Sequence, residues 1–111
     1  MEKKYHSFAE FWPFYLSQHS NRTCRILHAF GTTLGIVLLI YAVATQHFEL
    51  IPICFVFGYG FSWIGHFFFE KNRPATFTYP KWSFLGDFVM LKYFYIGKLD
   101  SELQKYNIVD T

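Results

Sequence analysis

The sequence predicts an all-α fold, a small integral-membrane helical bundle built on an antiparallel transmembrane hairpin with flanking interfacial helices. Of the 111 residues, 52% are hydrophobic and 23% are aromatic, while only 16% are charged, compared with about 25% in an average soluble domain. Two long apolar runs are separated by only four residues, and lysine and arginine gather on one side of the pair. The length fits a single domain over residues 1–111.

The first predicted element is an interfacial helix over residues 7–18, with the sequence SFAEFWPFYLSQ. Pro13 is expected to interrupt it, because proline lacks the backbone N–H that an interior helical position uses. Trp12, Tyr15 and the neighbouring phenylalanines suit the headgroup region, where amphipathic rings concentrate.

The two apolar runs, residues 26–45 and 50–69, are predicted transmembrane helices. Each is long enough to cross a hydrocarbon core about 30 Å thick, and His28 and His66 are their only ionisable side chains apart from cysteine and tyrosine. The four-residue link QHFE makes the two spans antiparallel.

A third apolar segment, residues 83–97, carries Asp87 and Lys92 and is therefore predicted as an interfacial or partly buried helix. Residues 98–111 are predicted as a solvated polar tail.

Basic residues predict the orientation of the hairpin. None lies in the QHFE turn, and the positive-inside rule therefore places both ends of the hairpin in the cytoplasm. The membrane would be the plasma membrane of a bacterium or the endoplasmic reticulum of a eukaryote. The residues that carry this signal are Lys3, Lys4, Arg22 and Arg25 before the first span and Lys71, Arg73 and Lys81 after the second.

Composition also excludes some partners and sites. A net charge of +2 without a basic stripe argues against nucleic acid as a partner. Cys24 and Cys54 form no CxxC pair, so they do not suggest a zinc ribbon or a redox pair. We interpret them as small apolar side chains in packed helices.

His28 and His66 are expected at the same depth and on facing surfaces. Each lies 19 residues from His47 in the turn, which corresponds to about 28 Å of helix. Gly31 and Gly35 share a stripe with His28, and Gly58 and Ser62 share one with His66. Small residues at this spacing let membrane helices approach closely.

A metal site is the predicted consequence. His19 lies just outside the first span on the same side, and Glu70 continues the stripe of His66. Neutral imidazoles with a carboxylate suit divalent iron or zinc, and iron is favoured where positions stay open for oxygen. For any one of these histidines taken alone, a simple hydrogen-bonding role is the alternative, and that role is our interpretation of His6 and His47.

Supporting residues are predicted around the site. Asn21, Glu70, Asn72 and Asp87 are candidates to accept a ring N–H and orient a histidine. A cluster of arginines on the same rim is a candidate to bind an acidic headgroup bidentately, the alternative being a topology signal beside anionic lipid. These arginines are Arg22, Arg25 and Arg73.

Two stretches resemble the 2-hydroxy fatty acid dioxygenase family, long catalogued as a domain of unknown function. They are FYLSQHSNRTCRILHAFGT (residues 14–32) and GHFFFEKNRPATFTYPKWSFLGDFVM (residues 65–90). The pattern H-x-N…R-x-x-H-x-x-G-T followed by G-H-x-x-x-E-x-N-x-P-A carries the resemblance.

The resemblance implies an iron(II)-dependent enzyme that uses molecular oxygen to shorten a 2-hydroxy fatty acid by one carbon (α-oxidation). Its motif histidines correspond to His19, His28 and His66, which we expect to hold the iron. Glu70 would be a fourth ligand or a supporting residue, and Glu70 and Asn72 are the polar residues of the catalytic motif. The rim arginines would meet the substrate carboxylate, and the bilayer would accommodate its chain.

Other readings remain. The chain could be a non-catalytic membrane or lipid-binding module whose histidines are only hydrogen-bonded. A di-iron hydroxylase needs more histidines than the five present. Because only two spans are recognised, a homo-oligomer in which a second protomer supplies further helices is kept as an alternative.

The orientation is tested by a reporter enzyme inserted into residues 46–49. We expect signal only from a reporter that is active outside the cytoplasm, because the basic residues retain both hairpin ends inside. A reporter after residue 98 is the matched control and should report the cytoplasm. A cytoplasmic signal from the turn would contradict the predicted topology.

Overall fold

The structure is a computed structural model that describes residues 4–110; Lys3, used above for orientation, lies outside this range. Within it the chain forms helices and turns and no strand, so the predicted all-α class is confirmed. The helices are α1 (Phe8–Ser17), α2 (Arg22–Ala44), α3 (Ile51–Ile64), α4 (Pro80–Tyr95) and α5 (Leu99–Lys105). Short 3-10 turns occupy Phe48–Leu50 and Ala75–Phe77, and a π-helical turn, Gly65–Glu70, extends α3.

Helices α2 and α3 form the predicted antiparallel hairpin. α2 begins at Arg22, one turn before the apolar run, because the Asn21 side chain caps it by accepting a hydrogen bond from the Cys24 N–H at 3.1 Å. α3 has a proline in its first turn, where the missing N–H costs nothing. The extended helix ends at Lys71, which adopts the left-handed conformation with φ of 60°.

Close contact between the two helices depends on glycines of α2. A Cβ atom on Gly31 would lie 2.7 Å from the Phe61 Cβ, and one on Gly35 would lie 2.8 Å from the Cys54 carbonyl oxygen. A side chain at either position would force the helices apart. Gly58 differs, because an added Cβ there meets nothing within 4 Å. The predicted small-residue contact is therefore confirmed for α2, but Gly58 is not needed for it.

The outer faces of the hairpin are apolar and exposed. Side chains such as Ile40 (64% exposed), Val56 (67%) and Phe68 (71%) are mostly uncovered by protein. Two helical stretches, Arg22–Ala44 and Phe48–Glu70, are long and apolar enough to cross a membrane. Lipid is the environment that such uncovered surfaces suit.

A second layer covers the end of the hairpin that carries the histidines. Its core is rich in aromatic side chains and joins α1, the Ala75–Phe77 turn, α4 and α5. The core residues are Phe11, Trp12, Tyr15, Leu16, Ala75, Tyr79, Met90, Leu99 and Leu103.

Three predictions about α1 and the C-terminal tail are wrong, because of the packing in this layer. Trp12 and Tyr15 pack in the protein core rather than among headgroups, since α4 and α5 cover them. α1 continues through Pro13, because burial of its aromatic face offsets a proline cost of about 3 kcal/mol. The tail is not wholly solvated: residues 98–111 include α5, which buries Leu99 and Leu103 as the apolar side of a short amphipathic helix.

The glycine contact predicts a stability difference. Gly31→Ala should lower the free energy of unfolding by about 1–3 kcal/mol, because the new methyl group overpacks the interface. Gly60→Ala is the control, since nothing lies within 4 Å of its Cβ position, and it should be neutral or stabilising by up to about 1 kcal/mol. Chemical unfolding in detergent micelles measures both. Equal effects would contradict the close contact.

Candidate metal centre

Three histidines from different parts of the chain meet in the interior. His19 follows α1, His28 lies on α2 and His66 lies in the π turn after α3. Their exposed fractions are 1%, 4% and 2%. Each Nε2 atom lies 3.0 Å from the other two. The predicted meeting of His28 and His66 is confirmed, and His19 completes an equilateral triangle of ring nitrogens.

Local backbone features bring these side chains together. The π turn adds a residue to a helical turn and so redirects the following side chains, a geometry found often at functional sites. Gly65, beside His66, packs against α2: a Cβ there would lie 3.1 Å from both the Cα and the Sγ of Cys24. A side chain at this position would require the two helices to move apart by a few tenths of an ångström, so Gly65 favours their close approach beside His66.

Hydrogen bonds at Nδ1 determine where His19 and His66 carry their protons. His19 Nδ1 lies 2.6 Å from the Tyr15 carbonyl oxygen, which only accepts, so this nitrogen donates. His66 Nδ1 lies 2.7 Å from Asn72 Oδ1. The Asn72 amide group donates to the Gln18 backbone carbonyl at 3.1 Å, which orients Oδ1 toward His66. Both neutral rings therefore leave Nε2 without a proton.

His28 has the same arrangement. The Ser62 hydroxyl donates to the Gly58 carbonyl at 2.8 Å, so its oxygen accepts from His28 Nδ1 at 3.1 Å. All three Nε2 lone pairs consequently point toward one small volume.

Lone pairs that face one another repel unless a cation lies between them. A shared proton is disfavoured, because burial lowers the pKa of His19 well below its usual value and His66 acts in the same direction. The donor set, three neutral imidazoles with hydrogen-bonded Nδ1 atoms, is the one that divalent transition metals use in proteins. The three ligand atoms lie within 4.8 Å of one another, so the residues fit a metal ion.

Glu70 lies outside this triangle. Its carboxylate accepts hydrogen bonds from the backbone N–H groups of Ser20 and Asn21 at 3.1 and 2.6 Å, and from the Ser20 hydroxyl at 2.5 Å. Ser20 directly follows His19 in the loop of residues 18–21 between α1 and α2, the His19 loop. Glu70 therefore ties the His19 loop to the π turn that carries His66. Asn72, by contrast, contacts a histidine as expected. Asn21 caps α2, where its side-chain oxygen accepts a hydrogen bond from the Cys24 N–H.

Asp87 adds a carboxylate near His28. Asp87 Oδ1 lies 3.5 Å from His28 Nδ1 and accepts a short hydrogen bond from the Tyr15 hydroxyl. Burial raises the pKa of Asp87 to about 7, and the Tyr15 bond opposes that rise. The Tyr15 ring also stacks on His19, with centroids 4.2 Å apart.

Sequence reasoning missed Tyr15 and Ser62 as contacts of the histidines. Tyr15 contributes mainly through its carbonyl, which no side-chain pattern reveals, although its spacing of four residues before His19 is helical. Ser62 precedes His66 by four residues and was interpreted only as a small residue at the helix contact.

The three arginines predicted to form one cluster have different surroundings. Arg25 is buried and donates to the carbonyls of His19 and Ser20, at 2.9 and 2.8 Å, and to Asp110 at 2.6 Å. Arg22 is exposed and lines a polar cavity with Arg25. Arg73 is exposed above the Phe77 ring, at 6.0 Å from its centroid, and does not line that cavity.

Comparison with known families identifies the chain. The family model described as 2-hydroxy-palmitic acid dioxygenase Mpo1-like matches residues 5–99. The chain belongs to the Mpo1-like family. No curated protein and no solved structure is significantly similar to it. The Mpo1-like match includes all three histidines, Glu70, Asn72 and Asp87, so the family relationship extends across the whole candidate centre.

Metal analysis tests the centre. Protein purified without chelator and loaded anaerobically with iron(II) should bind about one ion per chain. His66→Ala should retain less than about a tenth of that metal, because one of three ligands is lost. His47→Ala is the control, since His47 is an exposed side chain beside Glu49 in the turn.

Thermal unfolding gives a second measurement. Metal should raise the midpoint of the wild-type protein, because it binds the native state alone, and chelator should reverse the rise. The midpoint of His66→Ala should not respond. Equal metal content in His66→Ala and His47→Ala would contradict the assignment.

Proposed function

We propose that this protein is a membrane-embedded, iron(II)-dependent dioxygenase that converts a 2-hydroxy fatty acid to the fatty acid one carbon shorter. The observation that carries the proposal is the triangle of unprotonated Nε2 atoms, 3.0 Å apart, in a buried site. Membership of the Mpo1-like family supports the substrate class and the use of oxygen.

The non-catalytic alternative explains the triangle poorly. In a purely structural cluster, each Nε2–Nε2 contact would need a ring N–H on one side. The protons are instead engaged at Nδ1, by Tyr15, Ser62 and Asn72. A structural role would therefore leave three buried acceptors without a donor, and buried polar groups in that condition are costly.

Iron is favoured over zinc because of the reaction. The family is described as a dioxygenase, and zinc has no redox chemistry with which to use O₂. Imidazole nitrogens suit iron(II), and His19, His28 and His66 would hold it.

The proposed reaction balances without another reductant. A 2-hydroxy acid, R–CH(OH)–COOH, and O₂ give R–COOH, CO₂ and H₂O. The C1–C2 bond breaks, the two carbons together lose four electrons, and O₂ gains them. A bound iron(II) ion would supply the one-electron chemistry that reaction with O₂ requires.

The chain's own residues hold this chemistry in place. We assign Asn72 and Glu70 positioning roles: Asn72 orients His66, and Glu70 holds the His19 loop. Arg22, exposed on the first turn of α2, is the arginine we favour for the substrate carboxylate, because Arg25 already has three acceptors. Arg73 remains a candidate for lipid headgroups.

We also propose that the hairpin spans the bilayer with both ends in the cytoplasm. The histidines then lie near the cytoplasmic face, about 28 Å from the turn. A fatty acid carboxylate resides at that depth while its chain remains in the apolar layer. The aromatic second layer would cover the centre on its aqueous side.

Turnover is the decisive test. Purified protein with iron(II) and oxygen should convert a 2-hydroxy fatty acid labelled with ¹³C at C1 into the shorter acid and labelled CO₂, with one O₂ consumed for each acid. His66→Ala should lose at least about 100-fold in rate, while His47→Ala should retain the wild-type rate.

Two outcomes would contradict the proposal. One is labelled acid that remains unconverted although iron is bound at one ion per chain. The other is a His66→Ala rate equal to that of His47→Ala, which would place the chemistry elsewhere.

A further inference from the structure

An apolar groove of about 180 Å³ lies between α2, α3 and α4. Its lining is almost entirely apolar, and the oxygen-bearing side chains in it are those of Thr32, Tyr59 and Asp87. Its lining includes Gly35 and Leu39 of α2, Ile51 and Gly58 of α3, and Asp87 and Phe88 of α4.

The polar end of the groove adjoins the metal centre. Asp87 lines the groove and lies 3.5 Å from His28 Nδ1. On α2, the groove residues Thr32, Gly35 and Leu39 continue the helix face of His28, at four, seven and eleven residues after it. From Thr32 to Leu39 the groove therefore extends along about 10 Å of helix, and its near end lies one helical turn from His28.

Gly58 adds space to the groove. A glycine inside a helix costs about 1 kcal/mol relative to alanine, and helix packing does not explain this one, because nothing lies within 4 Å of its Cβ position. The space that its missing side chain leaves is groove space.

We propose that this groove binds the acyl chain of the 2-hydroxy fatty acid, extended along α2 with its methyl end toward Leu39 and Ile51. The inference rests on the proposed function, since it places the substrate's hydroxyl and carboxyl groups at the histidine end. The Gly58 gap accommodates the middle of the chain.

Size excludes the other obvious occupants. A helix is about 10–12 Å across with its side chains and is too thick for a groove of 180 Å³. A bilayer phospholipid has two acyl chains and a charged headgroup, whereas the groove offers a small volume and almost no polar lining. A single unbranched alkyl chain matches both the small volume and the apolar lining.

Photolabelling tests the assignment without turnover. The probe is a long-chain 2-hydroxy fatty acid with a diazirine near its methyl end, added anaerobically to iron-loaded protein. We expect labelled peptides around Leu39 and Ile51. Gly58→Leu should reduce labelling at least about tenfold, because its side chain fills the groove.

Gly60→Leu is the matched control. Gly60 is on the same helix and has the same open Cβ position, but it does not line the groove. Its labelling should stay within about twofold of wild type. Equal labelling of the two variants, or label confined to lipid-facing side chains such as Ile40, would overturn the proposal. So would displacement of the probe by phospholipid as readily as by unlabelled 2-hydroxy acid.

A second variant guards against a misfolded Gly58→Leu protein. Leu39→Trp narrows the methyl end, and Ile40→Trp places the same bulk on the neighbouring exposed position. Leu39→Trp should lower kcat/KM for long chains at least about tenfold relative to short chains, and Ile40→Trp should leave the ratio unchanged. An unchanged ratio in both variants would count against the groove.

The experiments distinguish a failure of the proposed dioxygenase function from a failure of the proposed acyl-chain groove. Specific labelling of the groove without turnover would contradict the dioxygenase and leave the binding site standing. Turnover with label elsewhere would contradict the groove and leave the dioxygenase standing.

Discussion

Three hydrogen bonds at Nδ1 atoms are the interactions on which the rest of this structure depends. The Tyr15 carbonyl, the Ser62 hydroxyl and the Asn72 amide oxygen each accept one ring proton. Each bond belongs to a different part of the chain, so the tautomers hold only while α1, the hairpin and the loop after the π turn stay in register. Their common effect is to direct three Nε2 lone pairs at one point, where a bound cation would stabilise the assembly.

Two kinds of packing position the residues of the centre. Glycines of α2 bring the hairpin helices into contact, which sets the distance between His28 and His66. The aromatic layer of α1, α4 and α5 then positions His19 and Asp87, neither of which belongs to the hairpin. Glu70 links the two parts through Ser20 and Asn21. A carboxylate used in this way contributes to the centre by geometry, since hydrogen bonds from backbone N–H groups occupy its oxygens.

Apolar surface has two roles in the same hairpin. Its outer side chains are uncovered, as suits lipid. Its inner face, together with α4, leaves the groove that begins beside His28 and is widened at Gly58. A polar centre at one end of an apolar channel is the arrangement that an amphiphile with a reactive head and an inert chain requires.

The sequence by itself determined the helical class, the hairpin and the meeting of His28 and His66. Those features follow from run length, turn length and helical periodicity, which are local properties of the chain. The position of His19, the separation of Glu70 from the triangle and the burial of Trp12, Tyr15 and α5 were decided only by the tertiary structure. They depend on backbone acceptors and on packing between segments distant in sequence, such as Tyr15 with Asp87 and Arg25 with Asp110, and no periodicity encodes such contacts.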